Sequence, residues 1–313
     1  MNEPLVSVII NCYNGEKYLK EAIDSVLCQT YSNWEIIFWD NLSIDNSAQI
    51  VKSYASDKIK YYLIDKHFSL GFARNEAVKK ANGEYIAFLD VDDIWLPNKL
   101  TEQIKLFENN SRIGMVYSDC FNMYPNGEKI LTSTFFKYKS GIVFKELLIN
   151  NFITLSTVVI PKNVIEEVGY FVNFQIAEEH DLFIKIAHKY EIDYISSPLA
   201  IYRYHSSNRS KDLELAFNEN KQILEFWKNL LGDKIRPIYC RSLSYLYYGL
   251  GRNALFQLNK KNIARDYFKK AIFTKFNFFY ILFFLSTYLP SQIIFLVRKL
   301  IFSLILLNSV KEK

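Results

Sequence analysis

The chain has 313 residues, half of them hydrophobic and 23% charged, with 38 Lys+Arg against 33 Asp+Glu for a net charge of +5. These fractions exclude a disordered or collagen-like chain, and the length allows one large domain or two ordinary ones with a sizeable core. A surplus of +5 is too small to indicate nucleic acid, yet it suits anionic lipid or a phosphorylated substrate.

The first two-thirds alternates short apolar β-rich runs with helical stretches. Val6–Asn11 is a β-branched run of the kind buried on both faces of a parallel sheet. Glu16–Gln29 places Tyr18, Ala22, Ile23 and Val26 at helical spacing. Strands are expected over Glu35–Asp40, Lys60–Ile64 and Tyr85–Leu89, and helices over Asn46–Tyr54 and Gly71–Ala81. That rhythm means βαβ units, and ligands of such sheets bind beyond the carboxyl ends of the strands. The polar segments Asn11–Asn14, Asp40–Asp45 and Asp90–Asp93 are therefore expected at one edge.

The middle is less regular. Gly114–Asp119, Ser156–Ile160 and Ala200–His205 read as strands, Asn163–Gly169 and His180–Tyr190 as helices. A boundary falls near Lys211, giving a first domain over 1–210. Beyond it, helices are expected over Leu213–Leu231, Ile235–Gly249, Arg252–Gln257 and Asn262–Phe273, so 211–275 is a helical extension. No charged residue occurs from Phe276 to Val297, about the length of a bilayer span. Pro290 and several polar residues interrupt it, so 276–313 is read first as helices lying on a membrane. A span or re-entrant hairpin, and packing on the soluble part or on a second copy as a homodimer, are the competing readings. Four scattered cysteines form no CxxC pair, and no charged-then-apolar leader precedes Val6. A cytoplasmic protein, peripheral on the inner face of the cell membrane, is expected.

Chemistry is concentrated in a few segments. Asp90, Asp92 and Asp93 follow a strand, and carboxylates packed so closely need a cation if they are to be half-buried. Such oxygen clusters suit Mg²⁺ or Mn²⁺ shared with substrate phosphates. The same run suits an acidic helix start, with Asp92 or Asp93 capping a helix at Ile94–Leu100. Asn11, Tyr13 and Asn14 present an aromatic face and two amides where a base can stack, or form a plain turn. Asp40, at a strand end, is a candidate acceptor for a nucleobase N–H or ribose hydroxyl. Arg74 is either a phosphate clamp or a surface residue. Glu179, beside Glu178, is a candidate general base or simply an acid at a helix N-terminus. His205 is a candidate metal ligand or a structural histidine, and Arg209 a phosphate contact. Neither a GxGxxG nor a P-loop motif is present.

In this order the segments resemble glycosyltransferase family 2, the inverting GT-A transferases of bacterial polysaccharide synthesis, over about Leu5 to Ser210. The resemblance implies an α/β fold: a GT-A-like mixed, mostly parallel sheet flanked by helices, followed here by an α-helical C-terminal region. It implies a nucleotide-sugar donor, usually UDP-linked, a divalent cation, and a glycan or lipid-linked glycan acceptor. Tyr13-Asn14 then matches the nucleotide-binding start, Asp40 the base contact, and Arg74 the Arg-Asn segment near the diphosphate. Asp90 lies nearer the ribose, Asp92 and His205 hold the metal, Glu179 is the base, and Arg209 lies in a loop over the diphosphate. Two departures stand out. Leu42 occupies the place of a glycine, so that turn is expected to differ. Glu179 replaces the commoner Asp, which lengthens the base's arm by about 1.5 Å. A nucleotide-sugar-binding partner without turnover, and a nucleotidyltransferase on a related sheet, are the rival readings.

Overall fold

The computed structural model describes residues 3–290 apart from 109, 135–136, 206–207 and 209–211, together with residue 293. The chain divides into two compact units, one within Met1–Leu147 and Asn151–Asn208, the other within Leu148–Asn150 and Arg209–Lys313.

The first unit begins with β1 (Val6–Cys12), α1 (Glu16–Leu27), β2 (Trp34–Asp40), α2 (Ser47–Lys52), β3 (Ile59–Leu63), α3 (Leu70–Lys80) and β4 (Tyr85–Phe88). These four strands are parallel and lie in the order β3-β2-β1-β4. Every residue of β2 and all but Asn11 of β1 are buried, as their continuous apolar runs require in a sheet covered on both faces. The strands all end on one edge, so the segments after β1, β2 and β4 meet there.

The second half of the sheet is mixed. β5 (Ile94–Trp95), α4 (Lys99–Glu108), β6 (Ile113–Met123), β7 (Lys129–Leu131), α5 (Phe144–Ile149), β8 (Val159–Pro161), α6 (Lys162–Val168), α7 (Glu178–Lys189) and β9 (Glu191–Arg203) follow. β8 joins β4 and β6 antiparallel, β6 and β9 run parallel, and β5 and β7 pair antiparallel at their margins. The architecture is the mixed, mostly parallel sheet flanked by helices that the sequence implies, with a helical C-terminal region.

Several boundaries differ from the sequence reading. Ile94–Leu100 is not a helix: Ile94 and Trp95 pair with β9, and the helix starts at Lys99. β9 begins at Glu191, well before Ala200, and its pairing with β6 is bulged near Ser118 and Asp119. The second unit contains α8 (Leu213–Leu231), α9 (Arg236–Phe256), α10 (Lys261–Thr274) and α11 (Phe278–Ser286). α9 is one helix where two were expected. Gly251 does not end it; a Cβ there would lie 2.6 Å from the Phe268 ring, so the missing side chain lets α10 pack close. Within the described residues no helix is long and apolar enough to cross a membrane. The stretch 291–313, Ile293 excepted, lies outside them.

Candidate active site

The turn after β4 does not continue as a strand. The Asp93 N–H donates to the Asp90 carbonyl at 3.0 Å, closing a tight turn that sends the three acids to different partners. Asp90 accepts from the Arg74 guanidinium at 2.9 Å. Asp92 lies 2.7 Å from His205 Nε2, across 113 residues of sequence. Asp93 is buried and accepts from the Ser156 hydroxyl at 2.6 Å and the Arg203 N–H at 3.0 Å. Asp93 thereby ties the end of β9 to this turn and sets His205 against Asp92. Arg203 reinforces the tie, donating to the Asp92 carbonyl at 2.9 Å and to Glu21 at 3.0 Å, with its guanidinium over the Tyr18 ring.

Burial and the neighbouring Asp90 raise the Asp92 carboxyl, against the opposing effect of His205. Asp93 is raised further, by complete burial and then by Asp92 and Asp90. A turn this crowded with negative charge, closed by an imidazole, suits a divalent cation by its donor chemistry. Asp92 and His205 are a carboxylate–imidazole pair that leaves coordination positions for phosphate oxygens and water. Among the described residues no set of three or more such side chains gathers as a complete cage.

Arg74 stands on the first turn and a half of α3, a helix capped by Ser69, whose hydroxyl accepts from the Phe72 N–H. It is not a surface residue: only 3% of its side chain is exposed. It donates to Asp90 and Glu178, and its NH1 lies 3.8 Å from Glu179. Burial disfavours its charge, but Glu178, Asp90 and Glu179 outweigh burial and raise its pKa. The forked donors expected at a diphosphate are therefore engaged by carboxylates from two distant segments.

Those carboxylates begin α7, where the helix dipole favours acids. Glu178 is buried on Arg74. Glu179 keeps 23% of its side chain exposed and accepts from the Asn151 amide at 3.4 Å. Its carboxyl is pushed up to about 8, chiefly by burial, with Arg74 and Asn151 opposing and Glu178 and Asp90 adding to the rise. A carboxyl so placed is reachable, and once deprotonated it is a stronger base than an ordinary carboxylate.

The other side of the edge is built by β1 and β2. Asp40 is buried, accepting from the Ser43 N–H and the Tyr61 hydroxyl at 2.7 Å each. Leu42 adopts φ 70° and Asn14 φ 55°. The turn expected to differ for want of glycine thus keeps the left-handed conformation with a leucine in it. Ser43 and Asn14 hold it, the Ser43 hydroxyl accepting from the Asn14 N–H and the Asn14 side chain from the Ile44 N–H. Tyr13 is 45% exposed, and its ring meets His67 edge-on at 4.4 Å. Asn41 fixes that histidine's loop through Phe68. His67 carries no motif, and only the fold reveals its place. Asn11 and Trp39 are register partners on β1 and β2, and the Asn11 Nδ2 and Trp39 Nε1 donors are buried without partners among the described residues. Arg209 lies outside the described residues.

The structure thus brings Asp90, Asp92, His205, Arg74 and Glu179 into one connected network. The family model for Glycosyl transferase family 2 matches residues 7–169. The chain belongs to glycosyltransferase family 2. It is a glycosyltransferase, using a nucleotide-sugar donor. It is 32% identical to UDP-Glc:alpha-D-GlcNAc-diphosphoundecaprenol beta-1,3-glucosyltransferase WfgD of Escherichia coli, over 83% of this chain and all of that protein. Its fold is similar to that of S. aureus TarS 1-349 in complex with UDP-GlcNAc, with TM-score 0.64, 20% identity and coverage of 85% of this chain and 81% of that one. It is also similar to the mannosyltransferase PcManGT from Pyrobaculum calidifontis in complex with GDP-Man and Mn2+. There the TM-score is 0.59 and the identity 16%, over 90% of this chain and 78% of that one.

Proposed function

We propose that this family 2 transferase moves a sugar from a UDP-linked donor, with inversion, to a hydroxyl of a lipid-linked glycan. The observation that carries the reading is the Arg74 bridge, which ties Asp90 at the donor edge to Glu178 and Glu179 on α7. Residues 1–210 carry the chemistry in this reading. The nucleotide lies along the β1 and β2 ends, with the base against Tyr13 and beside Asn11, Asn14 and Asp40, and the ribose near Asp90. Asp92 and His205 would hold a divalent cation, Mn²⁺ suiting the imidazole better than Mg²⁺; when bound it offsets negative charge on the diphosphate. Arg74 supports that edge electrostatically, and Arg209, four residues after His205 in sequence, shares that load.

Glu179 accepts the proton of the acceptor hydroxyl. Its exposed part faces the acceptor, while Arg74 and Asn151 fix the carboxylate's orientation. The attacking oxygen displaces the diphosphate from the opposite side of the anomeric carbon, giving inversion through an oxocarbenium-like transition state. The WfgD name specifies a diphosphoundecaprenol-linked acceptor for that relative. The 22-residue uncharged stretch beginning at Phe276 supports a membrane-borne acceptor here and a place on the inner membrane face. The test is a donor screen with Mn²⁺ and a diphospholipid-linked sugar as acceptor, reading both transfer and anomeric configuration. A retained configuration, or donor hydrolysis that no acceptor suppresses, overturns the proposal.

A further inference from the structure

The corner between α10 and α11 exposes aromatic side chains that no other described residue of its unit covers. Phe273 is 87% exposed, Phe276 70% and Phe278 62%, with Leu285 and Tyr288 exposed along the same apolar stretch. The two helices bury their opposite faces properly: Ala264, Phe268 and Phe283 form a core with Ala254 and Leu255 of α9. The exposed phenylalanines are therefore surplus to the packing of the unit, and so large a patch marks an interaction surface.

The charge around the corner has one sign. From Tyr267 to Lys311 the sequence contains no Asp or Glu, while Lys269, Lys270 and Lys275 flank the aromatic residues. Other cations nearby are engaged within the unit: Lys261 donates to the Leu289 carbonyl, and Arg265 to Thr287. Lys269, Lys270 and Lys275 are exposed. An apolar wedge whose collar is basic, with Asp266 the last acid before it in sequence, matches an anionic bilayer surface, where rings enter the acyl boundary and ammonium groups stay at the headgroups.

We propose that the α10–α11 corner is a membrane-docking wedge that inserts Phe273, Phe276 and Phe278 into an anionic lipid surface. The inference rests on the reading of a lipid-linked acceptor and adds the surface by which the enzyme reaches it. Lys269, Lys270 and Lys275 supply the headgroup contacts, each contributing roughly fivefold to the partition coefficient. Asn277, whose side chain accepts from the Phe279 N–H at 2.9 Å, caps α11 and holds the wedge in shape.

The test is sedimentation of the purified full chain with phosphatidylcholine vesicles, with and without phosphatidylglycerol. The wild type is expected to bind the anionic vesicles more tightly. Joint Phe273→Ser, Phe276→Ser and Phe278→Ser replacement should weaken binding more than tenfold, because each buried ring contributes about that factor. Joint Lys269→Glu, Lys270→Glu and Lys275→Glu replacement should abolish the preference for phosphatidylglycerol. A separate Phe276→Trp variant should shift to the blue and resist acrylamide only when vesicles are added, since the native tryptophans Trp34, Trp39, Trp95 and Trp227 are all buried. A Phe276→Trp signal already shielded in vesicle-free buffer means protein covers the corner and overturns the inference. So does a triple-Ser variant that sediments like the wild type. Transfer to a lipid acceptor in detergent, by a chain that binds no vesicle, sinks the wedge and leaves the acceptor reading standing. Vesicle binding by a chain that uses only soluble acceptors does the reverse.

Discussion

Two turns in this molecule each carry adjacent acids, and in each the neighbours have opposite fates. After β4, Asp93 sinks onto Ser156 and the Arg203 amide while Asp92 stays within reach of solvent against His205. At the start of α7, Glu178 is buried on Arg74 while Glu179 keeps 23% of its side chain exposed. Burial divides each pair: one acid is sunk into the fold, and the other, the one the proposed function employs, keeps contact with solvent. Identical functional groups one peptide apart do different work because the backbone turns between them.

The largest effect that tests this division is at Glu179. Glu179→Gln should lower turnover by about 10²–10⁴-fold, the worth of a general base, with donor affinity and unfolding midpoint close to the wild type. Retention of more than a tenth of wild-type turnover would remove Glu179 from that role. Glu178→Ala should show the opposite signature. Breaking a buried ion pair from one side costs about 3–5 kcal/mol, so urea unfolding should report a clear loss of stability.

The metal side gives the next effect. Asp92→Asn or His205→Ala should weaken Mn²⁺-dependent UDP binding by at least about 10-fold, read by calorimetry with and without the metal. Equal loss in metal-free buffer would mean that these residues touch the nucleotide instead. The pH dependence sharpens the picture further. The proposed role needs Glu179 deprotonated and its carboxyl is pushed up to about 8, so kcat/KM should rise with pH through that value. Burial and Glu178 both raise it, so the Glu178→Ala variant should move the limb to lower pH. A limb that stays in place breaks the electrostatic half of the comparison. The smallest effect is at the nucleotide edge. Leu42 sits at φ 70°, which costs a side chain about 1–2 kcal/mol, so Leu42→Gly should stabilise the protein by about 1 kcal/mol or less in a thermal scan.

The parallel half of the sheet was legible because each strand is an unbroken apolar run followed by a helix of regular spacing. The candidate acids and His205 were legible as a set, since their order along the chain resembles one family. The mixed half was harder to read. β9 alternates poorly through Ser196, Ser197 and Pro198, where its pairing to β6 is irregular, and its partner residues lie nearly eighty positions away in sequence. Glycines in α9 looked like a break because sequence alone does not show Phe268 packing against Gly251. Arg203, Ser156 and His67 had no motif to announce them. Their importance lies in which distant backbone they touch, and only tertiary contact creates that.

Gly71 shows how narrow the tolerances are. A Cβ at this position would stand 2.1 Å from the Val172 carbonyl oxygen, with Glu178 Cβ close behind. The first turn of α3 is therefore seated against the segment leading to α7, one helical turn before Arg74. Any larger residue would pry the helix outward and lift the guanidinium off both sets of acids at once. A single absent methyl group keeps α3 and the start of α7 in step.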